Sequence, residues 1–283
     1  MYEIEKLKMN WRDEMKIDWE VNYPTGLVRY IDYFRSKYFQ YYTFDKVVHN
    51  YIDRYCNSNG KRILSLGSGT GRHEVELAKL GYNVIGLERN EESVKISKNY
   101  ISECNADVEI YTCDFLDERQ VDNVMQKIGT VDVVVLLFIP ISIRSYECAI
   151  QNFRKWIKHG GLYIADFFSY KEGFSDSTLK IESNVEVADS NDQDDYVVRM
   201  NYYEYLNGIC NWDAIYLYYD DQGSLCMRKD HDILEIIPEE ESKFHLNLPE
   251  KEFEILPNHK VIECNEYIAP PHLYEYLIGR RKK

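Results

Sequence analysis

The chain of 283 residues carries 48 acidic against 34 basic side chains, a formal net charge of -14, and 45% hydrophobic residues. That fraction is ample for a packed core, while the acidic balance works against a phosphate backbone, so nucleic acid is not an expected partner. The longest apolar stretch, Val131 to Ile141, contains Asp132 and falls short of the roughly 20 residues that span a bilayer, and the opening MYEIEKLKMNWRDEMK is too charged for a signal peptide.

The cysteines at 56, 104, 113, 148, 210, 226 and 264 are scattered, with no C-x-x-C pair and no zinc-ligand spacing. They read as reduced thiols, and a cytoplasmic protein with no membrane segment and no metal site is expected.

Between Tyr23 and Tyr55 aromatic and apolar residues recur every three or four positions, which predicts an amphipathic helical lead-in in more than one piece, forming a cap over residues 1–60. From Lys61 short apolar runs alternate with helical stretches. RILSL precedes a helix from about Gly71 to Leu80, and YNVIGL one from Glu91 to Ile101. VEIYTC precedes Asp117 to Lys127, VDVVVLLF precedes Ser142 to Lys158, and LYIADFF follows. Gly81, Gly129 and Gly160-Gly161 punctuate the returns. Five such units in series predict an α/β fold, a Rossmann-like, doubly wound and mostly parallel sheet covered by helices on both faces, with its core over residues 61–168.

After Phe168 the rhythm breaks. Asn207-Gly208 and the DDQG of Asp220 to Gly223 are hairpin signals, so an inserted three-stranded antiparallel sheet is expected within residues 169–240, serving as a lid or dimerisation element. The acidic ADSNDQDD, Ala188 to Asp195, reads as an exposed loop leading into it. Residues 241–283 hold two further β-like runs around Pro270-Pro271, expected to complete the core sheet.

The stretch with most chemical content is LSLGSGTGRHEVELAKLGYNVIGLE. A strand, a glycine-rich turn and a helix bring backbone N-H groups and a helix N-terminus to the carboxyl edge of a sheet, where ligands bind. A dinucleotide loop needs G-x-G-x-x-G, and the position of its third glycine is here Arg72; no Gly-Lys-Ser/Thr follows, as a P-loop requires. The spacing is instead Gly67, Gly69, Gly71.

That turn resembles motif I of the class I S-adenosylmethionine-dependent methyltransferases. YTCDF resembles the end of their third strand, VDVVVLLF their motif IV, and WIKHGGLYIADFF the Lys-x-Gly-Gly turn into their fifth strand. The resemblance implies S-adenosyl-L-methionine as cofactor, held by Gly67, Ser68, Gly69 and Gly71, with Glu88, followed by Arg89, on the ribose hydroxyls. Asp114 and the backbone of Phe115 would meet the adenine, and Phe138 follows the fourth strand. A carboxylate suits a ribose because its two oxygens can accept from two vicinal hydroxyls. The family commonly has Asp or Glu two residues before the first glycine; here that residue is Ser65, one ammonium partner fewer.

Of the 25 tyrosines, several lie in YIDYFRSKYF, which resembles the helical cap of small-molecule N-methyltransferases, including those acting on amino sugars. That likeness places Tyr30 and Lys37 at the cofactor's methionine end, with Tyr33 close by as a catalytic candidate. A strand like RKDHDILEII carries the acceptor-facing His of amino-sugar enzymes, which puts it at His231, able to take a proton from an ammonium acceptor. FIPIS, Phe138 to Ser142, is not the Asn-Pro-Pro-Tyr or Asp-Pro-Pro-Tyr of nucleobase enzymes. The expectation is a methyltransferase acting on a small-molecule acceptor, at an amine nitrogen first and oxygen second. The alternatives are a non-catalytic cofactor- or partner-binding member of the fold, or a protein methyltransferase. The inserted strands serve equally well as a homodimer surface.

Overall fold

The computed structural model describes residues 41–57, 62–137, 143–170, 180–189, 196–206, 209–219, 223–235, 237–238, 249, 251–256, 262–263 and 272–283. Helix α1 (Tyr41–Tyr55) comes first. Then strands and helices alternate: β1 (Arg62–Leu66), α2 (Arg72–Lys79), β2 (Asn83–Glu88), α3 (Glu91–Glu103), β3 (Val108–Thr112), α4 (Glu118–Ile128), β4 (Val131–Leu136), α5 (Ile143–Phe153) and β5 (Ile157–Tyr170). Strands β1 to β5 pair in parallel in the spatial order 3-2-1-4-5.

Strands β1, β2 and β4 are buried on both faces because helices cover both, whereas β3 at the edge buries Ile110 alone. On one side Leu64, Leu66, Ile85, Leu87, Val134, Leu136 and Ala165 pack against Val121 and Met125 of α4 and Ala149 and Phe153 of α5. The alternate residues Ile63, Val84, Val133, Val135, Leu162 and Ile164 pack against Val48, Tyr51 and Ile52 of α1 and Leu77 of α2. Each fully buried side chain of this kind favours the fold by roughly 1.5–3 kcal/mol. Local chemistry sets the helix starts: Asn90 caps α3 by accepting from the Glu92 and Ser93 N-H groups, and Asp117 caps α4 by accepting from Arg119 and Gln120.

The fifth strand begins earlier than LYIADFF. The expected helix to Lys158 stops at Phe153 and a short 3-10 turn, Arg154–Trp156, feeds directly into β5 at Ile157. The register with β4 shifts between Val131 and Val133, so Lys158 to Gly161 form a bulge inside the strand. Glycine is required there: Gly160 has φ +76°, and a Cβ on Gly161 would run into the Asp132 carbonyl oxygen. Beside the bulge, buried Asp132 accepts from the Arg62 N-H and pairs with Lys158 Nζ at 3.0 Å.

Two more short strands flank this sheet: β10 (Ile237–Pro238) pairs with β5, and β12 (Ile262–Glu263) pairs with β13 (His272–Arg281). Strand β13 (His272–Arg281) lies antiparallel beside β5, and β11 (Phe253–Ile255) forms the far edge against β13. That edge partner, with Phe253 fully buried, precedes the two runs expected from the sequence.

The inserted sheet is antiparallel, and the three expected strands β7 (Tyr196–Leu206), β8 (Ile209–Tyr219) and β9 (Leu225–Glu235) are joined by a fourth, β6 (Lys180–Asp189). Its ladder with β7 runs from Lys180 opposite Tyr205 to Asp189 opposite Tyr196, so Ala188 and Asp189, expected in a loop, are strand. The β7–β8 ladder closes at Leu206 opposite Ile209, as the Asn-Gly pair between them predicts.

Candidate functional site

Strands β1, β2 and β3 end side by side, and the residues that follow them converge. The Ser68 N-H donates to the Leu87 carbonyl (2.9 Å) and the Cys113 N-H to the Glu88 carbonyl (2.9 Å), so backbone bonds continue past the strands and fix the rim. The turn after β1 needs its glycines, since Gly67, Gly69 and Gly71 have φ of +67°, +54° and +82°. Gly71 closes the turn by donating to the Ser68 carbonyl (2.9 Å). On the helix side the turn is tight, because a Cβ on Gly71 would lie 3.0 Å from Ser97 of α3. On the other side a Cβ on Gly69 would meet nothing within 4 Å.

Glu88, at the tip of β2, reaches across to this turn. One carboxylate oxygen accepts from the Gly69 N-H (2.9 Å) and the other from the Asn90 N-H (2.8 Å). Each oxygen keeps acceptor capacity for a ligand. Arg89 is exposed beside it. Ser68 turns inward: its Cβ lies 2.8 Å from where a Cβ on Gly86 would sit, and its buried hydroxyl has no hydrogen-bond partner among the described residues. Helix α2 starts at Gly71 without a side-chain cap.

At the end of β3, Asp114 accepts from the Leu116 N-H (2.9 Å) and is partly exposed. It does not cap α4, a task that falls to Asp117. Phe115 is buried, and its carbonyl accepts from Asn152 Nδ2 (3.0 Å), which ties α5 to the rim. Between Glu88 and Asp114, burial pushes the Cys113 thiol up to about 12, so it stays protonated and is no nucleophile.

The structure therefore gathers Gly67, Ser68, Gly69, Gly71, Glu88, Arg89, Asp114 and Phe115 at one edge. Tyr30, Tyr33, Lys37 and Phe138 lie outside the described residues. His231 is elsewhere, on β9. It is half exposed, its Nδ1 lies 2.9 Å from Asp213 Oδ1 on β8, and Lys229 reaches the same carboxylate at 3.2 Å. Burial raises the Asp213 carboxyl, but the hydrogen bonds from His231 and Lys229 outweigh it and hold it below the usual carboxylate range. His231 shares its face with Tyr219, Leu225 and Met227, all at least half exposed. The opposite face holds buried Arg199 and Asn201, with the Arg199 guanidinium 5.7 Å from the Trp212 ring and Trp212 Nε1 donating to Asn201 (2.9 Å).

Two buried acids escaped sequence reasoning. Asp166 stands one residue past the Leu136–Ala165 pair, at the carboxyl end of the core sheet, and its carbonyl accepts from the Tyr146 hydroxyl (2.5 Å). Burial first, and the nearby Asp166 second, push that hydroxyl well above its ordinary pKa. Glu74, in the first turn of α2, is 1% exposed. The available signal for both was a charge at a position where the local period calls for an apolar residue. Among the described residues no group of three or more His, Cys, Asp or Glu side chains could hold a metal ion, and no helix is long and apolar enough to cross a membrane.

A family model described as a methyltransferase domain matches residues 57–222, more than half of the chain. Solved structures share the fold at low identity. An S-adenosylmethionine-dependent methyltransferase from Clostridium acetobutylicum is 12% identical with a TM-score of 0.64, covering 90% of this chain and 99% of that one. DesVI of Streptomyces venezuelae gives 13%, 0.64, and coverage of 89% and 96%. The sugar N-methyltransferase KedS8 from a Streptoalloteichus species gives 16%, 0.63, and coverage of 90% and 93%. No curated protein matches.

Proposed function

The chain belongs to the methyltransferase-domain family, and from that membership we propose that it transfers a methyl group from S-adenosyl-L-methionine to a small molecule, at an amine nitrogen. The observation that carries this reading is the Glu88 carboxylate, fixed between the glycine turn and the start of α3 with its free acceptor capacity beside open space at Gly69. The residues present fit that cofactor. Glu88 takes the ribose hydroxyls, Asp114 and the Phe115 backbone take the adenine, and the turn from Gly67 to Gly71 gives the methionine portion a close backbone approach that a side chain at Gly69 would fill.

When bound, the cofactor supplies a methyl group on a sulfonium. For that methyl group to pass to an amine, the amine would have to present a free lone pair and give up a proton, which a residue of this chain would take. The protein aligns the partners and keeps water out. His231, oriented by Asp213, is the proposed proton acceptor, and Tyr33 remains a candidate on the lead-in. The choice of nitrogen is supported by the fold shared with a sugar N-methyltransferase. In this reading residues 1–60 cap the cleft, 61–168 bind the cofactor, 169–240 form the lid, and 241–283 complete the core sheet.

Calorimetric titration with S-adenosylmethionine, followed by a methyl-transfer screen over small amines, tests the proposal. Saturable binding with transfer to an amine is expected. Binding with no transfer to any acceptor would leave a binding module, and transfer only to a polypeptide would make the chain a protein methyltransferase.

A further inference from the structure

Gly86 lies inside β2, paired with Ser65 of β1 and with Ile110 of β3. It does not have a positive φ, so the strand backbone there does not itself call for glycine. The surrounding space does. Ile85 and Leu87 on either side pack with α4, so the missing side chain leaves a notch on the opposite face, where Ile110 packs with Val75 of α2 and with Val94 and Ile101 of α3.

The side chain of Ser68 fills that notch. A Cβ on Gly86 would lie 2.8 Å from both the Cβ and the Oγ of Ser68, and 2.5 Å from Ile110 Cδ1. The two clashes differ in kind. Ile110 Cδ1 is the far end of a flexible side chain and can change rotamer, whereas the Cβ of Ser68 moves only with the backbone of the turn. That backbone is tied at both ends: the Ser68 N-H donates to the Leu87 carbonyl, and the Ser68 carbonyl accepts from the Gly71 N-H, each at 2.9 Å. The next amide along, Gly69 N-H, is the one that donates to Glu88 (2.9 Å). The buried Ser68 hydroxyl has no hydrogen-bond partner among the described residues, so the side chain is held in the notch by shape.

We propose that Gly86 is a positioning residue for the cleft: its notch seats Ser68, and the seated Ser68 sets where the Gly69 amide meets Glu88. Its consequence for the cofactor rests on the reading of the cleft as an S-adenosylmethionine site. Gly86 itself touches no ligand and acts through Ser68.

Two readouts on the full chain test this: calorimetric affinity for S-adenosylhomocysteine, and hydrogen exchange of the Gly69 amide followed by NMR without ligand. Gly86→Ala is expected to weaken S-adenosylhomocysteine roughly tenfold or more, because the amide that fixes Glu88 is displaced. Gly69 exchange should speed up by about tenfold or more in the same variant. Adding Ile110→Val removes the flexible clash, and should recover part of any stability lost in urea while leaving the affinity low. Adding Ser68→Gly instead empties the notch, and should bring the affinity to within about twofold of the Ser68→Gly variant alone. Unchanged affinity in Gly86→Ala overturns the proposal and leaves Gly86 a packing residue of the sheet. So does a rescue by Ile110→Val, which would trace the loss to β3, or the lack of one by Ser68→Gly. Should Gly86→Ala fail to fold, the triple variant with Ile110→Val and Ser68→Gly decides: the affinity of Ser68→Gly supports the proposal, and weaker binding or no folding overturns it. If the unaltered chain does not bind S-adenosylhomocysteine, the cofactor reading falls by itself, and Gly69 exchange alone judges the seating, which unchanged exchange in Gly86→Ala would overturn.

Discussion

The parallel sheet and the antiparallel sheet β6–β9 hold their chemistry in different ways. In the parallel sheet both faces are covered, and the site is made of backbone: three left-handed glycines, strand ends joined by N-H to carbonyl bonds, and one carboxylate clamped by two amides. In the antiparallel sheet one face is buried and the other carries Leu225 and Met227 at 65% and 74% exposure, with His231 and Asp213 among them. A site built on backbone is tied to its fold. One built on exposed side chains can be changed residue by residue.

The largest expected effect lies in the parallel half. Gly161→Ala drives a Cβ into the Asp132 carbonyl, a backbone atom that cannot swing away, and should destabilise the protein by about 3 kcal/mol in urea unfolding. A cost under about 0.5 kcal/mol would mean that the bulge yields and that this half is less rigid than described.

His231→Ala comes next and tests whether the exposed face takes part in chemistry. Turnover on an amine should fall roughly 10²-fold, with cofactor affinity retained. The substitution also touches acid stability. Because the folded-state pKa of Asp213 is depressed, its contribution is present above the unfolded value of about 3.9 and is lost as pH falls through the lower folded value. Without His231 that loss should begin at higher pH in an acid titration of the variant. Unaltered turnover at every pH would return His231 to the sheet surface.

Glu88→Ala should weaken S-adenosylhomocysteine by roughly 1 to 3 kcal/mol, read by calorimetry, because it removes a charged acceptor and releases the Gly69 and Asn90 amides. An unchanged dissociation constant takes Glu88 out of the site. Smallest is Met227→Ser on the open face, expected to shift stability by less than about 0.5 kcal/mol in the same urea experiment. A large loss there would show that the face is covered in solution and would erase the contrast between the two sheets.

The same contrast explains what the sequence disclosed. Glycine turns after short apolar runs and the Asn-Gly hairpin are local signals, and β1 to β4 and the helix starts followed from them, whereas Glu88, Asp114 and Phe115 were singled out by the family resemblance. Strand β5 was cut short in the reading because His159-Gly160-Gly161 look like a break, whereas the bulge depends on how β4 lies alongside. Strand β6 was hidden because its Ile181, Val185 and Val187 are spread among charges, and β11 because three residues form no period. Glu74 and Asp166 are buried beside the core sheet, and their burial depends on how the helices lie across it rather than on any local pattern. The reading of Tyr30, Tyr33, Lys37 and Phe138 rests on resemblance alone.

The clamped carboxylate of Glu88 has a thermodynamic corollary. Two amides have already chosen its rotamer and the path of the turn, so little freedom would remain to be frozen if a ribose binds there as proposed. Association at this corner should therefore release heat with a modest entropic penalty, and the nucleoside half of the ligand would act as the anchor about which the methyl-bearing end finds its alignment.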